Sequence, residues 1–254
     1  MRTAAERFID SIGPADRVGI FTTSGKLTQD FISDKEVLKQ KLLALMSRGQ
    51  LTSTPGACPN VSYGMAVQVE REGGPPVSAG PGPPDLSVSP AFNILVQETL
   101  RCSPGINPGM AAILVGAAVT RVLNVGEAEN RNTYRQLENI VPLLASKPGE
   151  RVLLLASPGF PIARLTTEAS GIVEHANRAN IVINAIDARG LYTADLMGDI
   201  SSPGMDPPAL VGQKANYRLG EQMEQQFVLM DFAYGTGGRF FHNSNDLEGG
   251  LKQL

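Results

Sequence analysis

Two short runs of consecutive apolar residues constrain the fold of this chain more than any other feature. They lie in the segments RVLLLASPGF at 151–160 and NIVINAIDARGLY at 180–192. Successive side chains of a strand point to opposite faces, so an unbroken apolar run predicts a strand that is buried on both faces. Such burial is typical of a parallel sheet covered by helices.

Helical and strand patterns alternate along the rest of the chain and predict an α/β fold with a mostly parallel sheet and helices on both faces. In the segment SDKE, Ser33 is predicted to cap the following helix. The predicted strands are 17–23, 151–156, 181–186 and 239–242, and the predicted helices are 1–12, 33–45, 110–125, 131–146, 166–180, 217–233 and 246–254.

The regular pattern is interrupted at about 52–109, which we interpret as an insertion with two short helices near 61–69 and 91–100. Within it, 71–90 contains six prolines and four glycines, a composition that favours neither a helix nor a strand. This Pro/Gly-rich loop is expected to lie on the surface, and the insertion is expected to have little core of its own.

Both cysteines of the chain, Cys58 and Cys102, lie in this insertion. Neither belongs to a CxxC motif and no histidine is near either in sequence, so a zinc site is not expected. Two separate buried thiols and one disulfide are both compatible with the sequence. We predict the disulfide, because a segment with little core gains most from a covalent link, which would stabilise it by about 4 kcal/mol.

Charge and hydropathy exclude several classes of partner. The formal net charge is −3 with no basic stripe, so no nucleic-acid partner is expected. The apolar run MAAILVGAAV at 110–119 is too short to cross a bilayer, and we expect no membrane span in this chain. The first residues, MRTAAERFIDSIGPADR, carry charges where a signal peptide needs an apolar stretch, so no signal peptide is expected in them.

Longer segments resemble a von Willebrand factor A (vWA) domain. These are PADRVGIFTTSGKLTQDFISDKEVLKQKL at 14–42, NRNTYRQLENIVPLLASKPGERVLLLASPGF at 130–160, RANIVINAIDARGLY at 178–192 and FAYGTGGRFFHNSNDL at 232–247. The resemblance covers nearly the whole chain and is to the divergent, acidobacterial VWFA-related family of predicted exported proteins. The resemblance depends on the phrases SPGF, NAIDARGLY and GTGGRFFHNSNDL taken together.

The resemblance implies a single vWA-like domain over 1–254 with a three-layer, Rossmann-like sheet. It also implies that the domain is incomplete at both ends. The first strand of a vWA domain would precede Met1 and would lie between the strands at 17–23 and 151–156. Without it, the sheet is expected to have a gap at its centre, and a periplasmic, secreted or cell-surface location follows from the family.

A vWA domain typically holds a divalent cation through an Asp-x-Ser-x-Ser loop, a threonine and an aspartate after the fourth strand. The resemblance places Thr133 near the threonine position, although Thr133 could instead cap the next helix. Ser157 and Pro158 stand where Thr-Asp is expected, so a proline replaces the charged ligand. Hydroxyl groups alone do not offset the dehydration of magnesium. We therefore expect a degenerate metal site and no cofactor, with magnesium left as an alternative for the full-length protein.

Four polar residues are candidates for a rim at the carboxyl ends of the strands, where sites lie in open α/β sheets. They are Thr22, Ser24, Asp187 and Arg189. A structural alternative exists for each pair. Thr22 and Ser24 would form a turn, and Asp187 would accept backbone N–H groups of the next loop.

Nothing in the sequence forms a catalytic constellation. The two histidines are far apart, and ASPGF does not match the G-x-S-x-G nucleophile elbow. The predicted function is a non-enzymatic protein-interaction or adhesion-type module of an exported bacterial protein, with a protein partner of unknown identity. The alternatives are a small-molecule-binding α/β enzyme and an inactive fragment of a longer vWA protein.

Overall fold

The computed structural model describes residues 2–25, 28–45, 58–74, 89–160, 166–189 and 208–253. The helices are α1 (Arg2–Ser11), α2 (Lys35–Leu43), α3 (Tyr63–Arg71), α4 (Pro90–Cys102), α5 (Pro108–Ala145), α6 (Thr166–Arg178), α7 (Pro208–Gly235) and α8 (Leu247–Gln253). The strands are β1 (Val18–Phe21), β2 (Thr28–Ile32), β3 (Arg151–Ser157), β4 (Ile181–Asp187) and β5 (Phe240–Phe241).

The chain divides into two compact units. Unit 1 comprises Met1–Arg48, Glu129–Thr193 and Glu224–Leu254, and unit 2 comprises Gly49–Ala128 and Ala194–Met223. The predicted insertion at 52–109 falls within unit 2, and most of its Pro/Gly-rich loop, 75–88, lies outside the described residues. A single domain over 1–254 stays a prediction.

A small parallel sheet in unit 1 confirms the α/β class. Its order is β3-β4-β5, and β3 pairs with β4 in parallel over seven residues, from Arg151 opposite Ile181 to Ser157 opposite Asp187. The strand β4 is central and nearly all of its residues are buried, as its unbroken apolar run predicts. Both α6 and α8 contact it.

The strand predicted at 17–23 is present as β1 (Val18–Phe21). β1 is antiparallel to β2 in a separate two-stranded sheet, and β2 was not predicted at all. The pattern of β2, TQDFI, is short and largely polar, so it gives little strand signal. In the part of the chain that the structure describes, β1 and β3 are therefore not in one sheet, which is compatible with the expected central gap.

The segment GTGG at 235–238 is a tight turn that brings β5 onto β4. Gly237 has a left-handed φ of 74°, and a Cβ at Gly238 would overlap the carbonyl group of Ile183. Thr236 Oγ1 accepts a hydrogen bond of 2.9 Å from the Ile183 N–H. The side-chain oxygen of Asn184 accepts one of 2.8 Å from the Arg239 N–H.

An aromatic cluster holds the helices of unit 1 against the sheet. Tyr134 of α5 lies edge-on to Phe160, which follows β3, with ring centroids 5.5 Å apart, and both rings contact Phe232 of α7. Tyr134 is only 2% exposed. Its burial, with smaller contributions from Glu168 and Asp231, raises the pKa of its phenol far above the ordinary value. The ring therefore stays neutral and packs as an apolar group.

α5 is one continuous helix of 38 residues, although the sequence predicted two helices at 110–125 and 131–146. The intervening residues EAEN are compatible with a helix, and Gly126 lies where a Cβ would overlap the ring of Tyr63. Gly126 thus permits close packing of α3 rather than ending the helix.

Among the described residues, α5 is also the one helix long and apolar enough to cross a membrane, but buried core helices meet the same criterion.

Two other helix starts differ from the predicted ones. Asp34, not Ser33, caps α2, because its side chain accepts from the N–H groups of Glu36 and Val37. α7 begins at Pro208, about three turns before the predicted start at 217. Proline is well tolerated at the first helical position, since that N–H has no partner within a helix.

Unit 2 has an apolar core of its own, contrary to the expectation for the insertion. The core residues come from three helices and share an exposure of 7% or less: Tyr63, Met65, Ala66, Val67, Val69, Ala91, Phe92, Ile94, Leu95, Val96, Ala111, Ala112 and Val115. This core was not predicted, because two short amphipathic helices between prolines and glycines give only a weak sequence signal.

The predicted disulfide between Cys58 and Cys102 is present in unit 2. Their Cα atoms are 6.1 Å apart across a sequence separation of 44 residues. The bond links the residues before α3 to the last residue of α4. It therefore fixes the two helices that supply much of the core of unit 2.

A second link in unit 2 is the carboxylate of Glu72 at the end of α3. Its Oε2 accepts from Ser89 Oγ (2.7 Å) and from the Ala91 N–H (2.9 Å) at the start of α4. Its Oε1 accepts from Gln68 Nε2 at 2.9 Å. Burial by itself would raise the pKa of Glu72, but these hydrogen bonds outweigh it and lower the pKa below the ordinary value.

We expect reduction of the Cys58–Cys102 bond to lower the free energy of unfolding by about 4 kcal/mol, because the open chain regains loop entropy. Urea unfolding with and without reductant measures this difference. The double variant Cys58→Ala/Cys102→Ala is the control and should not respond to reductant. Equal unfolding midpoints of the wild-type chain in both conditions would contradict the prediction.

We expect Glu72→Gln to destabilise the chain at pH 7 by about 1–2 kcal/mol, since the amide has a single acceptor oxygen. Because the folded pKa is lowered, the carboxylate stabilises the fold above the unfolded pKa of about 4.3 and loses that effect as pH falls through the folded value. Unfolding of wild type and variant from pH 7 to pH 3 should therefore converge. Glu138→Gln, on the exposed side of α5, is the control, with a change below about 0.5 kcal/mol.

Candidate functional site

The carboxyl ends of β3 and β4 place Ser157 and Asp187 directly opposite each other in the sheet. Both are buried, with exposures of 9% and 1%. Ser157 Oγ accepts a hydrogen bond of 3.1 Å from the Gly159 N–H and so closes the turn after β3. Gly159 has a φ of 90°, and a Cβ there would overlap the carbonyl group of Gln225, so the turn requires glycine.

Asp187 and Arg189 form an ion pair with several hydrogen bonds at the end of β4. Asp187 Oδ1 accepts from the backbone N–H of Arg189 at 3.0 Å and from its Nε at 2.9 Å, while Oδ2 accepts from Nη2 at 2.7 Å. The Asp187 side chain is 0% exposed and that of Arg189 is 19% exposed. Arg189 Nη1 also donates to Gln225 Oε1 at 3.3 Å.

The geometry of this pair decides between the two predicted roles of Asp187. The aspartate accepts the N–H of the following loop, which is the structural role, and it also neutralises the neighbouring guanidinium. A carboxylate that is fully buried and paired in this way has no free oxygen directed at solvent. The pair is therefore better suited to hold the strand end than to coordinate a ligand.

Thr22 and Ser24 are not part of the same sheet as Asp187 and Arg189. They lie in the turn after β1, where the Gly25 N–H donates to the Thr22 carbonyl at 2.8 Å and Ser24 Oγ donates to Thr22 Oγ1 at 3.3 Å. Gly25 has a φ of 67°, as a tight turn requires. The structural alternative for these residues, a turn, is confirmed.

The resemblance assigns a degenerate metal site to Thr133, Ser157 and Pro158, and the hydroxyl groups of Thr133 and Ser157 each bond to the backbone of their own segment. Thr133 lies inside α5 and donates to the Glu129 carbonyl at 3.1 Å, so it neither caps nor begins a helix as the sequence suggested. Pro158 offers no side-chain oxygen. Within the described ranges, no group of three or more His, Cys, Asp or Glu side chains could hold a metal ion.

The two histidines occupy separate structural positions. His242 stacks on Phe240, with ring centroids 4.7 Å apart. His175, on α6, lines an open groove of about 340 Å³ between α5 and α6. The other residues of the groove are Val141, Pro142, Ala145, Arg178 and Ala179, which include no nucleophile and no carboxylate. A groove of this composition can contact an apolar group but supplies no acid–base pair.

The sequence analysis missed an exposed apolar stripe on the first turns of α5. Met110, Ile113 and Leu114 are 47%, 67% and 42% exposed, and Ala117 is exposed next to them. Their spacing of three, four and seven residues places them on one helix face. The signal was present, but the whole run MAAILVGAAV is apolar, so the sequence does not indicate which face the core covers.

Comparison with known proteins gave no match. A scan against protein-family models found none, and searches of curated proteins and of solved structures also found none.

We expect Asp187→Asn to destabilise the chain by about 3–5 kcal/mol, because it leaves the Arg189 guanidinium half-buried without its carboxylate. Denaturant unfolding at neutral pH measures the loss. Glu174→Gln is the matched control, since it breaks the ion pair with Arg178 in which both side chains are more than half exposed, and it should cost less than about 1 kcal/mol. Similar losses in both variants would show that Asp187 is not an internal counter-ion.

Proposed function

We propose that this chain is a non-enzymatic protein-interaction module with a vWA-like fold, belonging to an exported bacterial protein. The observation that carries the proposal is the exposed apolar stripe of α5, formed by Met110, Ile113, Leu114 and Ala117. Contiguous exposed apolar surface on a soluble protein is typical of an interaction site. A helix with this spacing of apolar residues fits a hydrophobic groove on a partner protein.

The helix that carries the proposed stripe is held in place by buried residues. On the opposite side of the same helix, Ala111, Val115 and Val119 have 0% exposure and anchor α5 in the core of unit 2. A partner that covers the stripe therefore has little backbone to order on binding, which lowers the entropic cost of association.

The proposed vWA-like topology accounts for the two separate sheets of unit 1. In the vWA strand order, one further strand would lie between β1 and β3 and would join them into a single three-layer sheet. The parallel order β3-β4-β5, with helices packed on β4, supports this arrangement. The substitution of Pro158 for a charged ligand supports a degenerate metal site, with magnesium kept as an alternative for the full-length protein.

The proposed export agrees with the Cys58–Cys102 disulfide, because disulfides persist mainly in oxidising compartments. The alternative of a small-molecule-binding α/β enzyme has its best support in the groove at His175, where no nucleophile or carboxylate accompanies the imidazole. An inactive fragment of a longer vWA protein is the second alternative, and it predicts no partner at the α5 stripe.

A photo-crosslinking amino acid at position 113 tests the proposal. The oxidised chain carrying it is incubated with envelope and extracellular fractions of the source organism, and adducts are identified by mass spectrometry. We expect protein adducts at 113, because its side chain lies at the centre of the stripe. The matched control carries the same group in place of Glu138, an exposed position on the same helix about 37 Å along its axis from position 113, and should give few adducts.

Three results would contradict the proposed function. Equal labelling at 113 and 138 would show random collisions, and the absence of adducts would favour an inactive fragment. Lipid adducts at 113 would place the α5 stripe against a bilayer instead of a protein.

A further inference from the structure

The sequence around the α5 stripe carries basic charges and no acidic ones. From 99 to 126, the only charged side chains are those of Arg101 and Arg121. The acidic residue just before this range, Glu98, is paired with the buried Lys214 at 2.7 Å. Arg121 is exposed, and none of the described residues forms an ion pair with it. The charge of Arg121 is therefore available to a partner.

Arg121 continues the α5 stripe by one helical turn. Ile113, Ala117 and Arg121 form one row at a spacing of four residues, and Met110 and Leu114 form a second row beside it. All five are exposed. Rows of this spacing are the ridges by which two helices pack, with a ridge of one helix in a groove of the other. The two rows therefore favour a helix as the partner.

The other end of the stripe lies in the first turn of α5. The backbone N–H of Met110 donates to Asn107 Oδ1 at 2.8 Å, and this first turn contains no acidic side chain. The N-terminus of a helix has a partial positive charge, which no carboxylate of its own turn offsets here. The surface from Met110 to Arg121 is thus apolar in the middle and positive at both ends, which are about 16 Å apart.

The number and distribution of charges favour a protein partner over a lipid surface. Helices that lie on anionic membranes carry several Lys or Arg residues beside their apolar face. The row that continues the stripe contains one, Arg121. The opposite side of α5 does not present a charged face to water, because Ala111, Val115 and Val119 are buried in the core of unit 2.

We propose that the partner at the α5 stripe is an acidic amphipathic helix of another protein, and that Arg121 determines this specificity. The apolar side chains of the partner cover the stripe, one of its carboxylates pairs with Arg121, and a second, about three turns away, lies at the first turn of α5. Complementary charges at the two ends fix the register of the helices and exclude basic partners. The inference rests on the proposed function, because it requires a protein at the stripe.

Photo-crosslinking at position 113 in chains that also carry a substitution at 121 tests the inference. The same envelope and extracellular fractions are used. We expect Arg121→Glu to lower the yield of protein adducts at 113 by about tenfold, because it replaces an attraction with a repulsion. Arg121→Lys keeps the positive charge and should retain most of the yield. Equal losses with Lys and Glu would show that Arg121 acts through its shape, and would overturn the inference.

Arg135→Glu is the matched control. It makes the same change in net charge at an exposed position of α5, about 21 Å further along the helix axis than Arg121. We expect it to give the adduct yield of the wild-type chain. The urea unfolding midpoints of all three variants should match that of the wild-type chain, since substitutions at exposed positions have small effects on stability.

The identity of the crosslinked segment is a second readout. Mass spectrometry locates the partner peptide that is attached at position 113. We expect a segment with apolar residues at spacings of three and four and with Asp or Glu on either side of them. Capture of a protein does not support the inference without this pattern.

The outcomes separate the inference from the proposed function. Protein adducts at 113 with the same yield for Arg, Lys and Glu at 121, or adducts with a basic segment, would overturn the inference and leave the proposed function in place. Equal losses in Arg121→Glu and Arg135→Glu would do the same, because they indicate an effect of net charge. The absence of adducts at 113 in the wild-type chain, or lipid adducts there, would overturn both.

Discussion

The burial of both faces of β4 is the constraint on which the rest of unit 1 depends. A strand that is apolar on consecutive positions cannot leave either face in water without losing most of its hydrophobic stabilisation. Ile181, Ile183 and Ala185 therefore contact one layer of helices, and Ile186 is buried on the other face. The partners β3 and β5, the turn at Thr236 and the aromatic cluster around Tyr134 all follow from covering this one strand.

Polar groups inside unit 1 are satisfied close to where the strands end. Asp187 is neutralised by Arg189, which follows it by two residues, and Ser157 bonds to the turn that begins after it. A buried ion pair of this kind is costly to break but contributes little net stability over an apolar pair. Its effect is to fix the direction of the chain at the edge where α/β proteins usually hold a ligand. The ion pair and the turn hydrogen bond thus close the ends of β3 and β4.

Unit 2 is stabilised differently from unit 1. Two of its helices, α3 and α4, are short, and isolated helices of this length are marginal in water. The apolar faces of α3 and α4 supply a core, while the disulfide and the Glu72 carboxylate connect the two helices at separate points. The Glu72 carboxylate accepts the Ala91 N–H in the first turn of α4 and so links two segments that a Pro/Gly-rich stretch separates in the sequence.

The sequence by itself determined the elements whose signal is local. The apolar runs predicted β3 and β4, whereas the two cysteines in one segment were compatible both with a disulfide, which the structure shows, and with two separate thiols. The tertiary structure alone decided which strands pair and which side chains meet. It showed that β1 pairs with β2 instead of the parallel sheet, that Gly126 accommodates Tyr63 within an unbroken helix, and that Asp187 is an internal counter-ion. These features depend on which surfaces meet, and a run such as MAAILVGAAV, which is apolar all round, does not specify which of its faces the core will cover.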